Sequence, residues 1–382
     1  MKKILVIHNN YRNIGGEDIA VENELTLLKE DFEVKTLYFS NNIDNYFNQI
    51  YAFLTNKNLA SMKKLANVIE SYNPDYAYVH NTWFNASLGI FQTLNSYNIK
   101  TIVKLHNFRY DCTQSYLLSG HLKGSDECGK CGLKKSLGSI FNMYYKDSVF
   151  KSLLVVKYGK KYFKLIKDGF FKIFVLTEFH KQHLINLGVD EKKIEVFPNY
   201  VHIPESSNYE PENYIVYAGR ISEEKGVENL IKVFLNSKLN NIKLKILGDG
   251  PLKTFLQNTY KSKHIEFTGV KSNRESLEEI RKSKAVITAT KMFEGQPTLL
   301  CEASSLGVPA IFPKTGGIAE FFPENYLLSF EQFDYKDLNK KMTYINDPEL
   351  MKNLGNKNKE FLNSSLNKDK LKNIFKKIIN DF

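Results

Sequence analysis

The chain has 382 residues, of which 42% are hydrophobic, 13% aromatic and 25% charged. This length predicts two domains of ordinary size with separate apolar cores, and this composition excludes an extensively disordered protein. No nucleic-acid recognition motif accompanies the formal net charge of +11, so we do not expect a nucleic-acid partner. No apolar run is long enough to span a membrane or to act as a secretory signal, which favours a cytoplasmic location.

The first half of the chain alternates short apolar strands with helical patterns. Strands are predicted at 4–8, 32–38, 76–80 and 101–106. This rhythm predicts a parallel sheet with right-handed crossovers, in which ligands bind beyond the carboxyl ends of the strands. His80 and His106 close two of these strands. A histidine in that position is either a structural hydrogen-bonding group or a ligand contact, and the residues alone leave both open.

Two adjacent glycines, Gly15 and Gly16, follow the first strand and precede a helical pattern at 18–29. Because glycine has no side chain, such a turn lets the backbone approach a phosphate closely. The pattern is not a G-x-G-x-x-G fingerprint, and a Gly-Gly pair is also common in plain turns. The residues therefore indicate a phosphate contact or an ordinary turn.

Three cysteines, Cys112, Cys128 and Cys131, lie in a turn-rich segment after His106. The C-x2-C spacing suits metal chelation or redox chemistry. A single C-x2-C excludes a site made of two such pairs within this chain. A structural metal site completed by His106 or His121, a disulfide and free buried thiols all remain open, so Cys112, Cys128 and Cys131 are one candidate for a structural metal site.

A basic stretch extends from Lys130 to Lys172 and holds 11 lysines, against Asp147 and Asp168 as the acidic residues. Apolar residues alternate with these lysines at helical spacing. Such a pattern is attracted to an anionic membrane surface. It is also typical of helices that pack by their apolar side and expose lysines to solvent.

The second half opens with a predicted strand at 214–218 after a polar, proline-containing segment at 200–213 that reads as an interdomain linker. Arg220 and Lys225 lie in the turn GRISEEKG that follows the strand. Two cations at the end of a buried strand are able to face one diphosphate together, although either is ordinarily a surface charge.

The stretch at 286–311, VITATKMFEGQPTLLCEASSLGVPAI, predicts a strand, a loop, a helix and a second strand. Pro297 at the first helical turn and Gly307 beyond the last turn are the expected boundaries. The backbone amides from Gly295 to Leu299 are therefore expected to lie unpaired at a helix N-terminus, which is an anion-binding position. Glu294 and Glu302 have the spacing E-x7-E, which suits two acids that hold different parts of one ligand.

The run FEGQPTLLCEASSLGVPAI resembles the E-x7-E signature of retaining, nucleotide-sugar-dependent glycosyltransferases of the GT4 type. The resemblance covers most of the chain and includes G-R-x4-K-G and the Gly-Gly loop. It implies an α/β GT-B fold, with two Rossmann-like domains facing a central cleft and a C-terminal helix that returns to the first domain. The corresponding domains are 1–202 on the acceptor side, 203–360 for the nucleotide sugar and 361–382 for the terminal helix.

The resemblance also implies roles for individual residues. His106, Arg220, Lys225 and Glu294 are expected to be catalytic, with Glu294 on the donor sugar hydroxyls and Glu302 on the ribose. The two cations and the helix amides would stabilise the departing diphosphate. The residues expected to bind the donor are Gly15, Gly16, Arg220, Lys225, Val270, Glu294, Gly295, Gln296, Pro297, Thr298, Leu299 and Glu302.

The expected activity is transfer of a sugar from a nucleotide sugar, with UDP-sugars favoured, to a lipid-linked oligosaccharide. The context would be capsule, lipopolysaccharide or other surface-polysaccharide synthesis, at the inner face of the cytoplasmic membrane. A transferase for a soluble acceptor and a non-catalytic nucleotide-sugar-binding subunit are the alternatives. No D-x-D triplet occurs, so we expect no essential divalent metal and no cofactor.

Overall fold

The computed structural model describes residues 1–10, 15–41, 46–108, 110–111, 148–201, 210–239 and 241–382. The chain divides into two compact units. Unit 1 comprises Met1–Tyr200 and Lys368–Phe382, and unit 2 comprises Val201–Asn367. Each unit is built on a six-stranded sheet.

The sheet of unit 1 is entirely parallel, in the order β2-β1-β3-β4-β5-β6. Its central strands are apolar on both faces, as the run from Ile4 to Ile7 illustrates with exposures of 0–1%, because helices cover both sides of such a sheet. The strands are β1 (Lys3–Asn10), β2 (Glu33–Ser40), β3 (Tyr76–Val79), β4 (Lys100–Leu105), β5 (Lys172–Val175) and β6 (Ile194–Val196).

Six α-helices accompany these strands within the described part of unit 1 before residue 200. Local capping accounts for some of their limits: the Asn58 side chain accepts a hydrogen bond from the Ser61 amide at the start of one helix, and Asn73 ends that helix in the left-handed conformation. The helices are α1 (Gly16–Leu28), α2 (Tyr46–Thr55), α3 (Leu59–Tyr72), α4 (Gly89–Ser96), α5 (Val149–Asp168) and α6 (Glu178–Asn186), with a 3₁₀ turn at Glu191–Lys193.

The sheet of unit 2 is also parallel, in the order β12-β11-β10-β7-β8-β9. Its strands are β7 (Tyr214–Ala218), β8 (Lys243–Leu247), β9 (Ile265–Gly269), β10 (Val286–Ile287), β11 (Ala310–Lys314) and β12 (Ser329–Glu331). The helices are α7 (Val227–Leu235), α8 (Lys253–Thr259), α9 (Asn273–Arg281), α10 (Thr298–Ser305), α11 (Tyr335–Thr343) and α12 (Pro348–Ser365). Shorter 3₁₀ turns occupy Glu223–Lys225, Ile318–Phe321 and Tyr344–Asn346.

Both strand orders reverse direction once, and the reversal determines where loops converge. In unit 2, β7 lies between β8 and β10, and in unit 1, β1 lies between β2 and β3. Ligands of open parallel sheets bind at the carboxyl ends of the strands on either side of such a reversal. The loops after β7 and β10, and those after β1 and β3, are therefore the positions that the fold favours for binding.

The last helix, α13 (Lys368–Asn380), belongs to unit 1. Its buried residues Leu371, Phe375 and Ile378 join the core that contains Tyr76 and Tyr78. The expected boundary at 360/361 is too early, because α12 continues to Ser365 and buries Leu362 in the core of unit 2, together with Leu366 beyond its end. The expected boundary at 202/203 differs from the observed one after Tyr200 by two residues.

Candidate active site

The loops at the carboxyl edge of the unit 2 sheet are joined by backbone hydrogen bonds. The amide of Ile221, after β7, donates to the carbonyl of Asp249, after β8, at 2.9 Å. The amide of Gly317, after β11, donates to the carbonyl of Glu294, after β10, at 2.8 Å. Side chains on these loops are thus held in position by the backbone before any ligand binds.

Two glycines permit the loops to approach this closely. Gly316 has φ +57°, and a Cβ on it would lie 2.1 Å from the carbonyl oxygen of Glu294. Gly226 has φ +68°, and a Cβ on it would lie 1.9 Å from the carbonyl oxygen of Ala289. A side chain at Gly226 would separate the loops after β7 and β10, and one at Gly316 would separate the loops after β10 and β11.

Lys225 and Glu294 form an ion pair between the loops after β7 and β10. Nζ of Lys225 lies 2.6 Å from Oε1 of Glu294, and the Thr290 hydroxyl donates to the same oxygen at 3.1 Å. The side chains are 30% and 18% exposed, so the pair remains accessible. The other carboxylate oxygen of Glu294 makes no hydrogen bond within the described ranges. It is available to accept from a ligand hydroxyl.

The N-terminus of α10 lies just beyond Glu294. Pro297 precedes the helix with φ −75° and ψ 117°, so the helix begins at Thr298, one residue later than expected. The carbonyl of Pro297 accepts from the amides of Leu300 and Cys301. The amides of Gly295, Thr298 and Leu299 donate to no group in the described chain.

The expected run of amides from Gly295 to Leu299 needs one correction, and the expected role of Gln296 needs another. Pro297 has no N–H, so it cannot take part as a donor. Gln296 is only 9% exposed, and its side chain hydrogen-bonds the buried thiol of Cys301, whose pKa burial raises to about 12. The side chain of Gln296 therefore supports the helix start, and the amides of Thr298 and Leu299 are the donors that the helix end presents.

Glu302 lies on the second turn of α10 and faces the first residue of α9. The Asn273 amide group donates to Oε1 of Glu302 at 3.1 Å. Burial raises the pKa of Glu302 from 4.5 to about 7, and the hydrogen bond from Asn273 opposes this rise. A carboxyl group in this condition changes its protonation near neutral pH, and donors from a ligand would favour the charged form.

Arg220 and Val270 lie further along the same edge. The carbonyl of Arg220 accepts from the hydroxyl of the buried Tyr217 at 2.8 Å, whereas its side chain is exposed and makes no ion pair with the described residues. Val270 follows β9 and is 76% exposed. Since β9 is three strands from β10, Val270 lies roughly 14 Å across the sheet from the strand that leads to Glu294.

In unit 1, Gly15 and Gly16 are at the start of α1. Gly15 is the residue before the helix, and Gly16 is its first residue. The Gly15 amide donates to Oδ2 of Asp18 at 2.7 Å, and Oδ1 of Asp18 lies 2.9 Å from Nε2 of His8. This helix start therefore already holds a carboxylate of the chain itself, and the predicted phosphate contact at Gly15 and Gly16 stays a prediction.

His106 follows β4 and pairs with His80, which follows β3. Nδ1 of His80 and Nε2 of His106 are 2.9 Å apart. Burial holds the pKa of both imidazoles well below the usual range, so both rings are neutral. They line a cavity, partly open to solvent, whose other lining residues are Glu17, Asn81, Thr82, Trp83, Lys104, Leu105, Asn107, Tyr158 and Tyr162.

A buried ion pair that sequence reasoning missed lies between β4 and α1. Lys104 and Glu24 form an ion pair with side-chain exposures of 0% and 1%, and the Tyr78 hydroxyl donates to the second oxygen of Glu24 at 2.7 Å. Burial lowers the pKa of Lys104 and raises that of Glu24. A lysine within the apolar strand TIVKL was the available signal, because a lysine inside a buried strand needs a partner.

Some expectations fall on residues outside the described ranges, namely Cys112, His121, Cys128, Cys131 and the first part of the Lys130 to Lys172 stretch. Among the described residues, no three or more His, Cys, Asp or Glu side chains gather as metal ligands would. No described helix has the length and apolar character needed to cross a bilayer.

Two Rossmann-like units, each with a parallel sheet and a reversal of strand order, define a GT-B glycosyltransferase fold. The family assignment comes from residues 201–361, which match the family described as "Glycosyl transferases group 1". This match lies within unit 2, so unit 2 carries the domain of this family, and the chain is a glycosyltransferase.

Relatives and a solved structure agree with this assignment. An uncharacterized glycosyltransferase, MJ1178, from Methanocaldococcus jannaschii is 25% identical over 94% of this chain and 93% of its own. The amylovoran biosynthesis glycosyltransferase AmsD of Erwinia amylovora is 29% identical over 42% of this chain and 48% of its own. The structure of Anabaena Alr3699/HepE in complex with UDP-glucose covers 100% of both chains with a TM-score of 0.70 at 13% identity, which shows a shared fold.

Proposed function

We propose that this chain is a retaining glycosyltransferase that moves a sugar from a UDP-sugar to a lipid-linked oligosaccharide in surface-polysaccharide synthesis. The observation that carries the proposal is the Lys225–Glu294 pair at the N-terminus of α10. A cation, a carboxylate with one unused oxygen and free helix amides lie together there. Such a set suits a ligand that carries both negative charge and hydroxyl groups.

The cationic groups and the acidic groups of this site would bind different parts of a nucleotide sugar. The departing diphosphate gains negative charge during transfer, and Lys225, Arg220 and the amides of Thr298 and Leu299 are the positive groups that would stabilise it. Glu294 would accept hydrogen bonds from the donor sugar, and Glu302 from the ribose. Arg220 and Lys225 would perform the charge stabilisation for which many phosphoryl and glycosyl transferases use a metal ion.

The resemblance and the comparisons support the finer parts of this proposal. The solved structure with the shared fold contains UDP-glucose, which favours UDP-sugars. The relative AmsD is named for the biosynthesis of a polysaccharide, amylovoran. Retention of the anomeric configuration follows from the family resemblance, and the anomeric coupling constant in the NMR spectrum of the product would test it.

For the acceptor, we propose the unit 1 cavity beside His106. Trp83, Tyr158 and Tyr162 supply aromatic surface, while Asn81 and Thr82 supply polar groups. A cavity that combines ring faces with a few polar groups suits a sugar ring, whose faces are apolar and whose edges carry hydroxyls.

A lipid-linked acceptor requires access to a membrane surface, and two helices of unit 1 have a suitable face. Ile50 of α2, with Phe150 and Leu153 of α5, are 55%, 64% and 52% exposed. Lys157 of α5 donates to the carbonyl of Leu54 in α2 at 2.7 Å, so the two helices are neighbours. Exposed apolar side chains beside lysines favour an anionic bilayer as the partner of this face.

The proposed binding of unit 1 to a membrane surface is tested by sedimentation with vesicles of phosphatidylglycerol and phosphatidylcholine. Lys157 and Lys161 bond carbonyls of α2, so replacing them would also disturb the fold. Lys160 and Lys164 are exposed and are the better pair to change to glutamine. We expect the double variant Lys160→Gln with Lys164→Gln to lower vesicle binding. We expect the same of a second double variant, Phe150→Ser with Leu153→Ser. Unchanged binding in both would favour a soluble acceptor.

The central test is a transfer assay preceded by a thermal-shift screen over nucleotide sugars, because a ligand of the native state raises Tm. We expect one UDP-sugar to raise Tm and to be consumed. Glu294→Gln should reduce transfer by about a hundredfold or more, as removal of a charged group from a transition-state contact does. Glu331→Gln is the matched control, because Glu331 pairs with Lys314 at 2.9 Å on an outer strand.

Two outcomes would contradict the proposal. If Glu294→Gln transferred sugar as fast as the unchanged protein, the assignment of the donor site would be wrong. If UDP-sugars bound but were never consumed in the presence of lipid-linked or soluble acceptors, the chain would be a nucleotide-sugar-binding subunit instead.

A further inference from the structure

Asn273, the first residue of α9, forms a hydrogen bond with Glu302 of α10. Its side-chain amide donates to Oε1 of Glu302 at 3.1 Å, although the two residues are 29 positions apart in the chain. Asn273 is exposed and Glu302 is partly exposed, so a ligand can reach this contact at the surface of unit 2. The second oxygen, Oε2 of Glu302, makes no hydrogen bond within the described chain and is not shielded from solvent.

The side chain of Asn273 is available for this contact because another residue caps the helix. An asparagine at the start of a helix commonly serves as its cap. Here the Ser272 hydroxyl accepts from the Glu275 amide at 3.3 Å, and Oε2 of Glu275 accepts from the Ser272 amide at 2.8 Å. This capping box fixes the first turn of α9. It therefore holds the backbone of Asn273 in place and leaves its side-chain amide for Glu302.

The contact joins two segments that were assigned to neighbouring parts of one ligand. Val270, the expected base contact, follows β9, and α9 begins three residues later at Asn273. Glu302 of α10 is the expected ribose contact. In a nucleotide the base is bonded directly to the ribose, so the residues that bind the two must be held in a fixed relation. The bond between Asn273 and Glu302 is the described contact that provides this relation.

The hydrogen bond restricts Glu302 in both of its protonation states. A carboxylate accepts from the NH₂ group of Asn273, and a protonated carboxyl group is able to donate to the amide oxygen of the same residue. Burial raises the pKa of Glu302 to about 7, and the bond from Asn273 opposes this rise by favouring the charged form. The contact thus survives a change of charge.

Charged side chains on the elements that pack against α10 contribute no resolved shift to this pKa. On α12, Lys359 is the charged residue that is not exposed. With the charged residues of α9 and β11, these groups are Arg274, Glu275, Glu278, Glu279, Arg281, Lys314 and Lys359. Among the described residues, Asn273 is therefore the neighbour that controls the charge of Glu302.

We infer that Asn273 is a positioning residue of the donor site, which holds Oε1 of Glu302 so that Oε2 accepts hydrogen bonds from the ribose hydroxyl groups. The identity of the ligand rests on the proposed function, whereas the contact between Asn273 and Glu302 does not. An unrestrained carboxyl group turns easily about its terminal bond, because that torsion is broad. The bond from Asn273 removes this freedom before the ligand binds, which lowers the ordering cost of binding.

The first experiment tests the contact without a ligand, by ¹³C NMR titration of the side-chain carboxyl groups in protein with ¹³C-labelled glutamate. Glu302→Gln assigns the signal. We expect the midpoint of Glu302 to be higher in Asn273→Ala, which loses the donor, and higher still in Asn273→Asp, which also adds a negative charge. Arg274→Ala is the control, since Arg274 is the exposed next residue of α9, and it should leave the midpoint unchanged. An unchanged midpoint in both Asn273 variants would overturn the inference.

The variant Asn273→Asp also separates positioning from folding. Aspartate has nearly the shape of asparagine, and a negative charge in the first turn of a helix is favourable because the helix dipole is positive there. We therefore expect this variant to unfold cooperatively with a Tm within a few degrees of that of the unchanged protein. A loss of binding in a variant of unchanged stability belongs to the site and not to the fold.

The second experiment is isothermal titration at pH 8 with UDP and with 2′,3′-dideoxy-UDP, which lacks both ribose hydroxyl groups. We expect the unchanged protein to bind UDP at least tenfold more tightly, because the dideoxy compound leaves Glu302 without a ligand donor. In Asn273→Ala the affinity for UDP should fall roughly tenfold, while the affinity for the dideoxy compound stays the same. Arg274→Ala should bind both nucleotides as the unchanged protein does.

The outcomes separate this inference from the proposed function. Equal losses of affinity for the two nucleotides in Asn273→Ala would indicate a general disturbance of unit 2 and would overturn the positioning role. Equal affinities of the unchanged protein for the two nucleotides would overturn it as well. If neither nucleotide bound, the proposed function would be wrong, and the ligand-free titration would still decide whether Asn273 holds Glu302.

Discussion

Nζ of Lys225 lies 2.6 Å from Oε1 of Glu294, although the two residues are 69 positions apart in the chain. The contact joins the loops on either side of the strand-order reversal in unit 2. The cation proposed for the diphosphate and the acid proposed for the sugar therefore neutralise each other in the ligand-free protein. Donor binding would replace this pairing with contacts to the ligand.

Lys225→Met should weaken UDP binding at least tenfold, because a phosphate contact would be lost and the carboxylate of Glu294 would be left beside the diphosphate. Isothermal titration with UDP would measure this. Stability should change little, since a partly exposed ion pair contributes at most about 1 kcal/mol. Lys314→Met, at the exposed pair with Glu331, is the control. Equal UDP affinity in both variants would remove Lys225 from the donor site.

The raised pKa of Glu302 leads us to expect that donor binding depends on pH. Its pKa is about 7, so the carboxylate form increases from pH 6 to pH 8. If that carboxylate accepts from the ribose, the affinity for a UDP-sugar rises over this range, whereas the affinity of Glu302→Gln stays flat. A UDP-sugar is the proper ligand, because both of its phosphates remain ionised throughout. A parallel rise in the two proteins would contradict the contact.

The raised pKa of Glu302 also makes the stability of the protein depend on pH, but stability falls where donor affinity rises. Because the folded pKa of Glu302 lies above the ordinary 4.5, the folded state binds the proton more tightly than the unfolded state. The free energy of unfolding therefore falls as pH rises from about 4.5 through 7. Glu302→Gln should remove the contribution of this carboxyl group to that fall. For a fully buried group the contribution would be at most about 3 kcal/mol, and it is smaller here because the side chain is partly exposed. Urea unfolding at pH 5 and pH 8 would show the difference.

Gly316→Ala should destabilise the protein by about 1–3 kcal/mol, since the new methyl group would meet the Glu294 carbonyl at 2.1 Å and the residue has φ +57°. Gly15→Ala is the comparison, because a Cβ there would lie 3.7 Å from its nearest neighbour and φ is −122°. Urea unfolding would measure both. A smaller loss for Gly316→Ala than for Gly15→Ala would show that the loops after β10 and β11 separate without cost.

Phe375→Ala should lower the free energy of unfolding by about 3–5 kcal/mol, because it empties a fully buried site. The ring of Phe375 packs against Phe32, Tyr78, Phe174 and Phe197. Lys376→Ala is the contrasting change on the same helix, since it removes an exposed contact to Asp31. Its effect should be below about 1 kcal/mol and should decrease further in salt.

Lys104→Met should be more destabilising than the double change Lys104→Met with Glu24→Gln. The single change leaves the Glu24 carboxylate buried without its partner, which typically costs about 3–5 kcal/mol, while the double change removes both charges. The Tyr78 hydroxyl remains as a donor to residue 24 in both. Urea unfolding of the two variants would measure the difference. Equal stability would indicate that the carboxyl group protonates at no net cost.

Much of the fold and part of the site follow from local sequence patterns. The apolar strands at 4–8, 76–80 and 101–106 were predicted within a few residues, because a strand buried on both faces must be apolar throughout. The loop with Glu294, the start of α10 and Gly307 beyond its end also follow from local rules for turns and helix ends. Pro297 was placed one residue too far inside the helix, since proline before a helix and proline in its first turn look alike in sequence.

What the sequence by itself determined is the type of each element and the chemical groups that end its strands. Only the tertiary structure decided which groups meet: Lys225 with Glu294, His80 with His106, and Lys104 with Glu24, which is 80 positions away. The physical reason is that periodicity reports whether a side chain is buried, and strand order and the reach of each side chain decide what it is buried against.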